Sequence, residues 1–421
     1  MNRREALKGA AYAAALFGLP PARGATAAPP LPDKSVLERD PEAYWGRIRK
    51  EQFLLPDWRT FLNNGSLGVA PKVVVEAIVD YLNRSAALMV EEYPRWGYET
   101  LDEHRKEIAE FVGCRPEDLA LTHNATEAMS TIANGLDLKA GDEVIMTDHE
   151  HPGGSCCWLQ RQARHGIQVR QVKLPIPPSS PEQIADVLVS AIGPRTRVLS
   201  FSGITTTTGL VMPVRQICDA ARSKGVITVI DGAHINGQIP VRLADLGCDY
   251  FASSPHKWLF APAGCGLLYG REEMLDRLWV NVVTSGWDKK EELKAARFQM
   301  VGTNNRAIFE GFLAGVRFLK QIGPGRVYDR IHQLARGVYE KARTLPNVEM
   351  LTPADERMYA GIVSFRIKGL DLKPVWAMCK QRRIWALESD KFRVSTHIHT
   401  RPSDVDMLFE VIREVQSGKA A

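Results

Sequence analysis

Lys257 stands in Ser253-Ser254-Pro255-His256-Lys257-Trp258, between the strand-like run Asp249-Tyr250-Phe251-Ala252 and the apolar run Gly264-Cys265-Gly266-Leu267-Leu268-Tyr269. An amine held between two buried strands is costly unless its charge is used or removed. Imine formation with a carbonyl cofactor is one such use, and desolvation helps it by lowering the amine pKa. A lone loop lysine is ordinarily a surface residue. Asp231 changes that reading. It directly follows Val229-Ile230 at the end of another buried run, where a carboxylate needs a partner. A pyridinium N–H supplies one, and the protonated ring then withdraws electrons from a carbanion. Capping of the next helix is the plainer role for this aspartate. The spacing of Asp231 and Lys257, one strand–helix–strand unit apart, favours the cofactor role.

Such a pair has to be positioned by a sheet. Leu119-Ala120-Leu121-Thr122, Val144-Ile145-Met146-Thr147, Val198-Leu199-Ser200-Phe201, residues 226–230 and residues 250–253 read as five strands with helical segments between them. Their β-branched content predicts an α/β fold with a mostly parallel sheet covered on both faces. Ligands of such sheets gather at the carboxyl ends of the strands. Asn124-Ala125-Thr126, His149 and His151, Thr205-Thr206-Thr207-Thr208, Asp231, and Ser254, His256 and Lys257 all fall there. Asn124-Ala125-Thr126 opens a helix, and its free N–H groups and hydroxyl suit a phosphate that Ser254 and His256 can also reach. N-capping by Asn124 is compatible with this.

At 421 residues the chain is long enough for two domains. Residues 61–300 read as a large domain. Residues 301–421 read as a smaller α+β domain with strands at Ile362-Val363-Ser364-Phe365-Arg366 and Phe392-Arg393-Val394. Residues 29–60, rich in Pro, Trp and charge, read as an irregular arm. A net charge of +5 without an arginine–lysine cluster gives no footprint for nucleic acid. No apolar run is long enough to span a bilayer. Seven irregularly spaced cysteines with no CxxC pair suggest neither a zinc site nor a disulfide framework. Residues 1–28 read as a twin-arginine signal: Arg3-Arg4, an apolar run at 10–19, and Ala25-Thr26-Ala27 as a small-x-small cleavage site, with Asn2 where Ser or Thr is commoner. The expected location is periplasmic or exported.

Asp231-Gly232-Ala233-His234 and Ser254-Pro255-His256-Lys257 resemble the motifs of the class V aminotransferase family of pyridoxal-phosphate enzymes, within fold type I. That group includes cysteine desulfurases, kynureninases and isopenicillin N epimerase-like proteins. The resemblance runs from about Phe61 to Val411. It implies pyridoxal 5'-phosphate as cofactor, Lys257 as Schiff-base lysine and proton carrier, and Asp231 as partner of the pyridine nitrogen. It implies a phosphate cradle at Ala125, Thr126, Ser254 and His256, with His151 stacked on the ring and His234 near the ring hydroxyl. Thr206 takes the place where many members carry Asn. Thr303, in Gly302-Thr303-Asn304, resembles the segment reaching the phosphate of a neighbouring subunit, which implies a homodimer with shared active sites. Arg393 resembles the arginine that grips a substrate carboxylate, and Asn64 a residue at the substrate mouth. Cys379, fourteen positions before Arg393, sits in a helix-like run and reads as structural, so a persulfide mechanism is not supported.

The implied substrate is a small amino-group molecule with a carboxylate, processed through an external aldimine and quinonoid. Transamination, epimerisation and β- or γ-elimination share that route. The resemblance favours an aminotransferase-type enzyme with epimerase-like ancestry, the epimerase and lyase outcomes being alternatives. A non-catalytic binding protein of the same fold is disfavoured by the complete set of anchors. A Rossmann oxidoreductase lacks its GxGxxG. Tyr93, Arg95, Trp96 and Tyr98 fit either the substrate mouth or a dimer contact.

Overall fold

The computed structural model describes residues 29–87 and 101–418. The signal-like segment and Tyr93, Arg95, Trp96 and Tyr98 lie outside the described residues. After the short β1 (Thr60–Phe61), one large sheet is built from β2 (Leu119–Thr122), β3 (Glu143–Thr147), β4 (Gln168–Val172), β5 (Thr196–Ser202), β6 (Ile227–Asp231), β7 (Tyr250–Ser253) and β8 (Gly266–Gly270). Their spatial order is β2-β8-β7-β6-β5-β3-β4. Every pairing is parallel except the two made by β8. β8 can reverse because the loop after β7, which carries Lys257, returns without a crossover helix. β2 therefore points the same way as β3, β5, β6 and β7, and their carboxyl ends open on one edge.

Alternation along each strand explains the two-sided burial. Val144 and Met146 of β3 enter one hydrophobic cluster and Ile145 the other, and Val229 and Ile230 of β6 divide likewise. Both faces are apolar, so the strands read as continuous hydrophobic runs. The helix Ala125–Gly135 follows β2 and buries Ala128, Met129, Ile132 and Ala133. The helix Pro152–His165 follows β3 and starts with a proline whose missing N–H costs nothing there.

Two expectations need correcting. The arm is largely helical, not irregular: Asp33 and Asp40 cap helices Lys34–Arg39 and Pro41–Gln52. Pro41 sits in the first turn, where proline favours a helix. Tyr44, Trp45 and Ile48 join the main core. Second, the helix Ala307–Ile322 packs into the main core through Phe309, Phe312, Val316 and Leu319, so packing does not change at residue 301. The chain passes to the smaller unit at Gly323, with φ of +102°, and Pro324.

The smaller unit holds β9 (Val348–Met350), β10 (Ile362–Ile367), β11 (Ile384–Trp385) and β12 (Phe392–Ser395). β12, β10 and β9 form an antiparallel sheet packed on helices Pro324–Arg343, Leu372–Gln381 and Pro402–Gln416. β11 pairs in parallel with β1, and Leu62 enters the small core beside it. Among the described residues, no helix is long and apolar enough to cross a membrane.

Arg49 ties the arm to this unit. It is buried, donates to His399 O at 2.5 Å and Arg59 O at 2.6 Å, and lies 3.7 Å from the buried carboxylate of Asp404. Breaking a buried pair strands the remaining charge. Arg49→Leu is expected to destabilise the protein by about 3 kcal/mol, measured by urea unfolding, while Arg47→Leu on the exposed face of the same helix shifts it little.

Candidate active site

The carboxyl edge of the sheet meets the small unit around a cavity of about 540 Å³. Ala125, Thr126, His151, Thr206, Asp231, Ser254, His256, Lys257 and Arg393 all line it. Five strand ends and β12 thus bring most of the expected residues to one place.

Lys257 is held by its backbone as well as its amine. Its carbonyl accepts from Asn64 Nδ2 at 2.8 Å, and its N–H donates to Ser254 O at 3.1 Å. Gly68 comes so close to this carbonyl that a Cβ there would lie 2.2 Å from it. The lysine Nζ is 3.1 Å from His234 Nε2. The tautomer of His234 follows from its other nitrogen. Trp258 Nε1–H, which can only donate, bonds His234 Nδ1 at 3.1 Å. Nδ1 is therefore the acceptor. Burial first, then the nearby cations, push the imidazole pKa well below its usual value, so the ring is neutral. Its proton sits on Nε2 and faces Lys257, so the amine accepts it when deprotonated. Burial also pushes the lysine down to about 8, opposed by Asp231.

Asp231 ends β6, buried, with Oδ1 accepting the Ala233 N–H at 3.0 Å. Oδ2 lies against the start of the helix Pro152–His165, where a Cβ on Gly154 would be 2.6 Å from it. A Cβ on Gly153 would be 2.4 Å from Thr126 Oγ1. The two glycines therefore keep a helix terminus open against both groups. His151 caps this helix, its Nδ1 accepting the Gly153 N–H at 3.0 Å. His149, the rival for ring stacking, instead bonds Asp148 at 2.8 Å.

At the start of the helix Ala125–Gly135, Asn124 Oδ1 accepts the Glu127 N–H at 2.9 Å, and the Ala125 N–H donates to Ser254 Oγ at 3.0 Å. His256 Nδ1 is buried without a hydrogen-bond partner. An unpartnered imidazole nitrogen, two hydroxyls and a helix N-terminus are the donors a phosphate needs. With Asp231 for a pyridine nitrogen and a buried amine of lowered pKa for a carbonyl carbon, the residues fit pyridoxal phosphate.

Arg393 brings a cation without an acidic partner. It donates to Thr206 Oγ1 at 3.1 Å, Asn63 Oδ1 at 2.6 Å and Ser66 Oγ at 2.7 Å, while its Nε has no partner. Burial alone lowers it to about 10. Three neutral acceptors hold the fork and leave its charge for a ligand carboxylate. Thr206 is thus engaged by Arg393, with its hydroxyl proton still to give.

Three expected residues do not line the cavity: His234, which stands behind the Lys257 amine, Asn64 and Thr303. Asn64 does not line the cavity: its amide is taken by Lys257 O and His399 Nε2, the latter at 3.3 Å. Asn63 and Ser66, its neighbours, support the carboxylate arginine instead. Thr303, expected at the phosphate of a neighbouring subunit rather than its own, lies outside this chain's cavity. Three contributors escaped the sequence reading. Trp258 and the Gly153-Gly154 pair are two. Glu150 is the third, half-buried, accepting from Thr147 Oγ1 at 2.5 Å and Ser202 Oγ at 2.7 Å, and raised to about 7 by desolvation and then by Asp231. The signal for the glycines was available, since two adjacent glycines in a first helical turn are unfavourable without a steric reason.

The lysine carries a testable cost. Between about 8 and its ordinary 10.5, the unfolded chain holds a proton that the folded chain does not, so stability rises with pH across that window. Below it, the folded protein buries a charge. Lys257→Met is therefore expected to stabilise the cofactor-free protein at pH 7, on the order of 2 kcal/mol. That advantage should shrink as pH rises from 8 to 10.5, read from denaturation midpoints of the two proteins.

A family model described as aminotransferase class-V matches residues 60–388. Isopenicillin N epimerase of Amycolatopsis lactamdurans is 32% identical over 394 residues, covering 88% of this chain and 98% of the relative. Isopenicillin N epimerase of Streptomyces clavuligerus is 30% identical over 390 residues, with 88% and 98% coverage. Among solved structures, a variant of C-DES with glycine covalently linked to its pyridoxal-phosphate cofactor superposes with a TM-score of 0.75 at 26% identity, over 85% of this chain and 96% of that one.

Proposed function

The chain belongs to the aminotransferase class-V family of pyridoxal-phosphate enzymes, and on that premise we propose that it acts at Cα of an amino acid with a free carboxylate. One observation carries this reading: a buried Lys257 amine, pushed down to about 8 by burial and fixed by His234, shares a cavity with Asp231 and with an arginine that has no acidic partner. Pyridoxal phosphate is the cofactor, and when bound it supplies a carbonyl for the substrate amine and an electron sink for charge left at Cα.

The chain's own residues do the rest. The Ala125-Thr126 turn, Ser254 and His256 would hold the phosphate. Asp231 keeps a proton on the pyridine nitrogen. His151 covers the ring, and His234 donates from Nε2 toward the lysine nitrogen or the ring oxygen. Arg393 takes the substrate carboxylate with its remaining donors and so fixes the direction of the Cα–H bond. Lys257 removes that proton, which a neutral amine can do and an ammonium cannot.

Delivery of the proton away from the substrate carbon gives an aminotransferase-type outcome. Its return to the opposite face gives epimerisation, a second reading favoured by the two isopenicillin N epimerases. A persulfide route has no support: no cysteine lines the cavity, and Cys379 lies in the small core with its thiol pushed up to about 12 by burial. A homodimer is supported by the Gly302-Thr303-Asn304 resemblance and by exposed Trp279, Val282, Val283 and Trp287. Export rests on the order of signal-like regions in residues 1–28. Solution mass, and the N-terminal residue of the mature protein, check these two.

The central test is an amino-acid panel followed by absorbance. The purified enzyme is expected to show a visible band that borohydride traps on Lys257, and Lys257→Ala is expected to lose both the trapped adduct and turnover. Keto-acid formation marks transamination, and loss of optical activity without keto acid marks epimerisation. A wild-type protein that binds no pyridoxal phosphate would sink the reading.

A further inference from the structure

Lys391 is a cavity residue that no step above uses. Phe392 and Val394 of β12 bury in the small core, so alternation puts Lys391 and Arg393 on the opposite side, and both line the cavity. The loop before β12 is fixed in place. Trp376 Nε1 donates to Ser389 O at 3.1 Å, and Ser389 Oγ donates to Lys391 O at 2.7 Å. The Lys391 side chain is 19% exposed. Its ion-pair contact is with the adjacent Asp390 at 3.6 Å, a side chain that is 70% exposed and also engages Arg366 at 3.1 Å. A pair of that kind contributes little and leaves the lysine charge available.

We infer that Lys391 forms a second anion subsite beside Arg393, which selects amino acids whose side chain ends in a carboxylate. Two strand positions place the Cα atoms of these cations about 7 Å apart. A five- or six-carbon amino diacid spans a comparable distance between its carboxylates. Arg393 would take the α-carboxylate and Lys391 the distal one. A neutral side chain of the same shape would leave Lys391 to water. The inference rests on the reading of Arg393 in the proposed function.

Titration of the holoenzyme with L-glutamate and L-glutamine, read by the change in the visible cofactor band, tests it without turnover. The two ligands match in shape and differ in charge. Wild type is expected to bind glutamate about tenfold tighter, the effect of one charge-assisted hydrogen bond. Lys391→Gln should raise the glutamate Kd about tenfold and move the glutamine Kd by less than twofold. Lys391→Arg should keep most of the preference. An unaltered band without ligand shows that each variant retains its fold and cofactor. Equal wild-type Kd values, no response to glutamate, or equal losses for both ligands in Lys391→Gln would overturn the subsite. Arg393→Gln separates the two claims. It should weaken both ligands, and if it weakens neither, the carboxylate assignment in the proposed function fails along with the subsite.

Discussion

A buried amine facing a neutral imidazole, Lys257 against His234 at 3.1 Å, is the constraint on which this site depends. The contact works because Trp258 has taken the other imidazole nitrogen. Trp258 is fully buried and its own carbonyl lies 3.2 Å from His397 Nε2, so the indole has little freedom to let go. A protonated lysine would meet an N–H rather than a lone pair. Trp258, the next residue along the chain, thus fixes which imidazole nitrogen faces the amine.

The cavity is electrically divided around that amine. Asp231 and the half-buried Glu150 stand at the sheet edge, and Arg393 and Lys391 stand on the small unit. The sheet edge thus brings the acidic groups together with Lys257, and the small unit adds two cations facing them. The glycines at 153 and 154 keep the acidic side open, because any side chain there would occupy the space beside Asp231 and Thr126. Asn63 and Ser66 serve the basic side by holding the arginine with neutral acceptors that leave its charge intact.

The strands of the large sheet and the anchors at their ends were legible because both faces are buried and the chemistry is local to each strand end. Asp231, Lys257 and the Ala125-Thr126 turn needed only their position after an apolar run. Asn64 misled because its neighbours in sequence differ in direction: Asn63 and Ser66 face the arginine, while Asn64 turns to the lysine backbone. That choice is made by long-range packing against His399, which no local pattern encodes. The arm misled for the opposite reason, since Pro41 looks like a breaker until it is placed in a first turn. Trp258 read as part of a motif, and its effect on the imidazole became visible only with both distances.

The ends of the chain are sewn together around the lysine. β1 pairs with β11, the Gly65 N–H donates to Ser395 Oγ at 2.8 Å, Asn64 meets His399, and Arg49 reaches Asp404. These partners are separated by more than three hundred positions, so each contact joins segments that no local pattern brings together. Arg393 comes from one of these distant segments and its acceptors Asn63 and Ser66 from the other, so neither segment forms the arginine site alone.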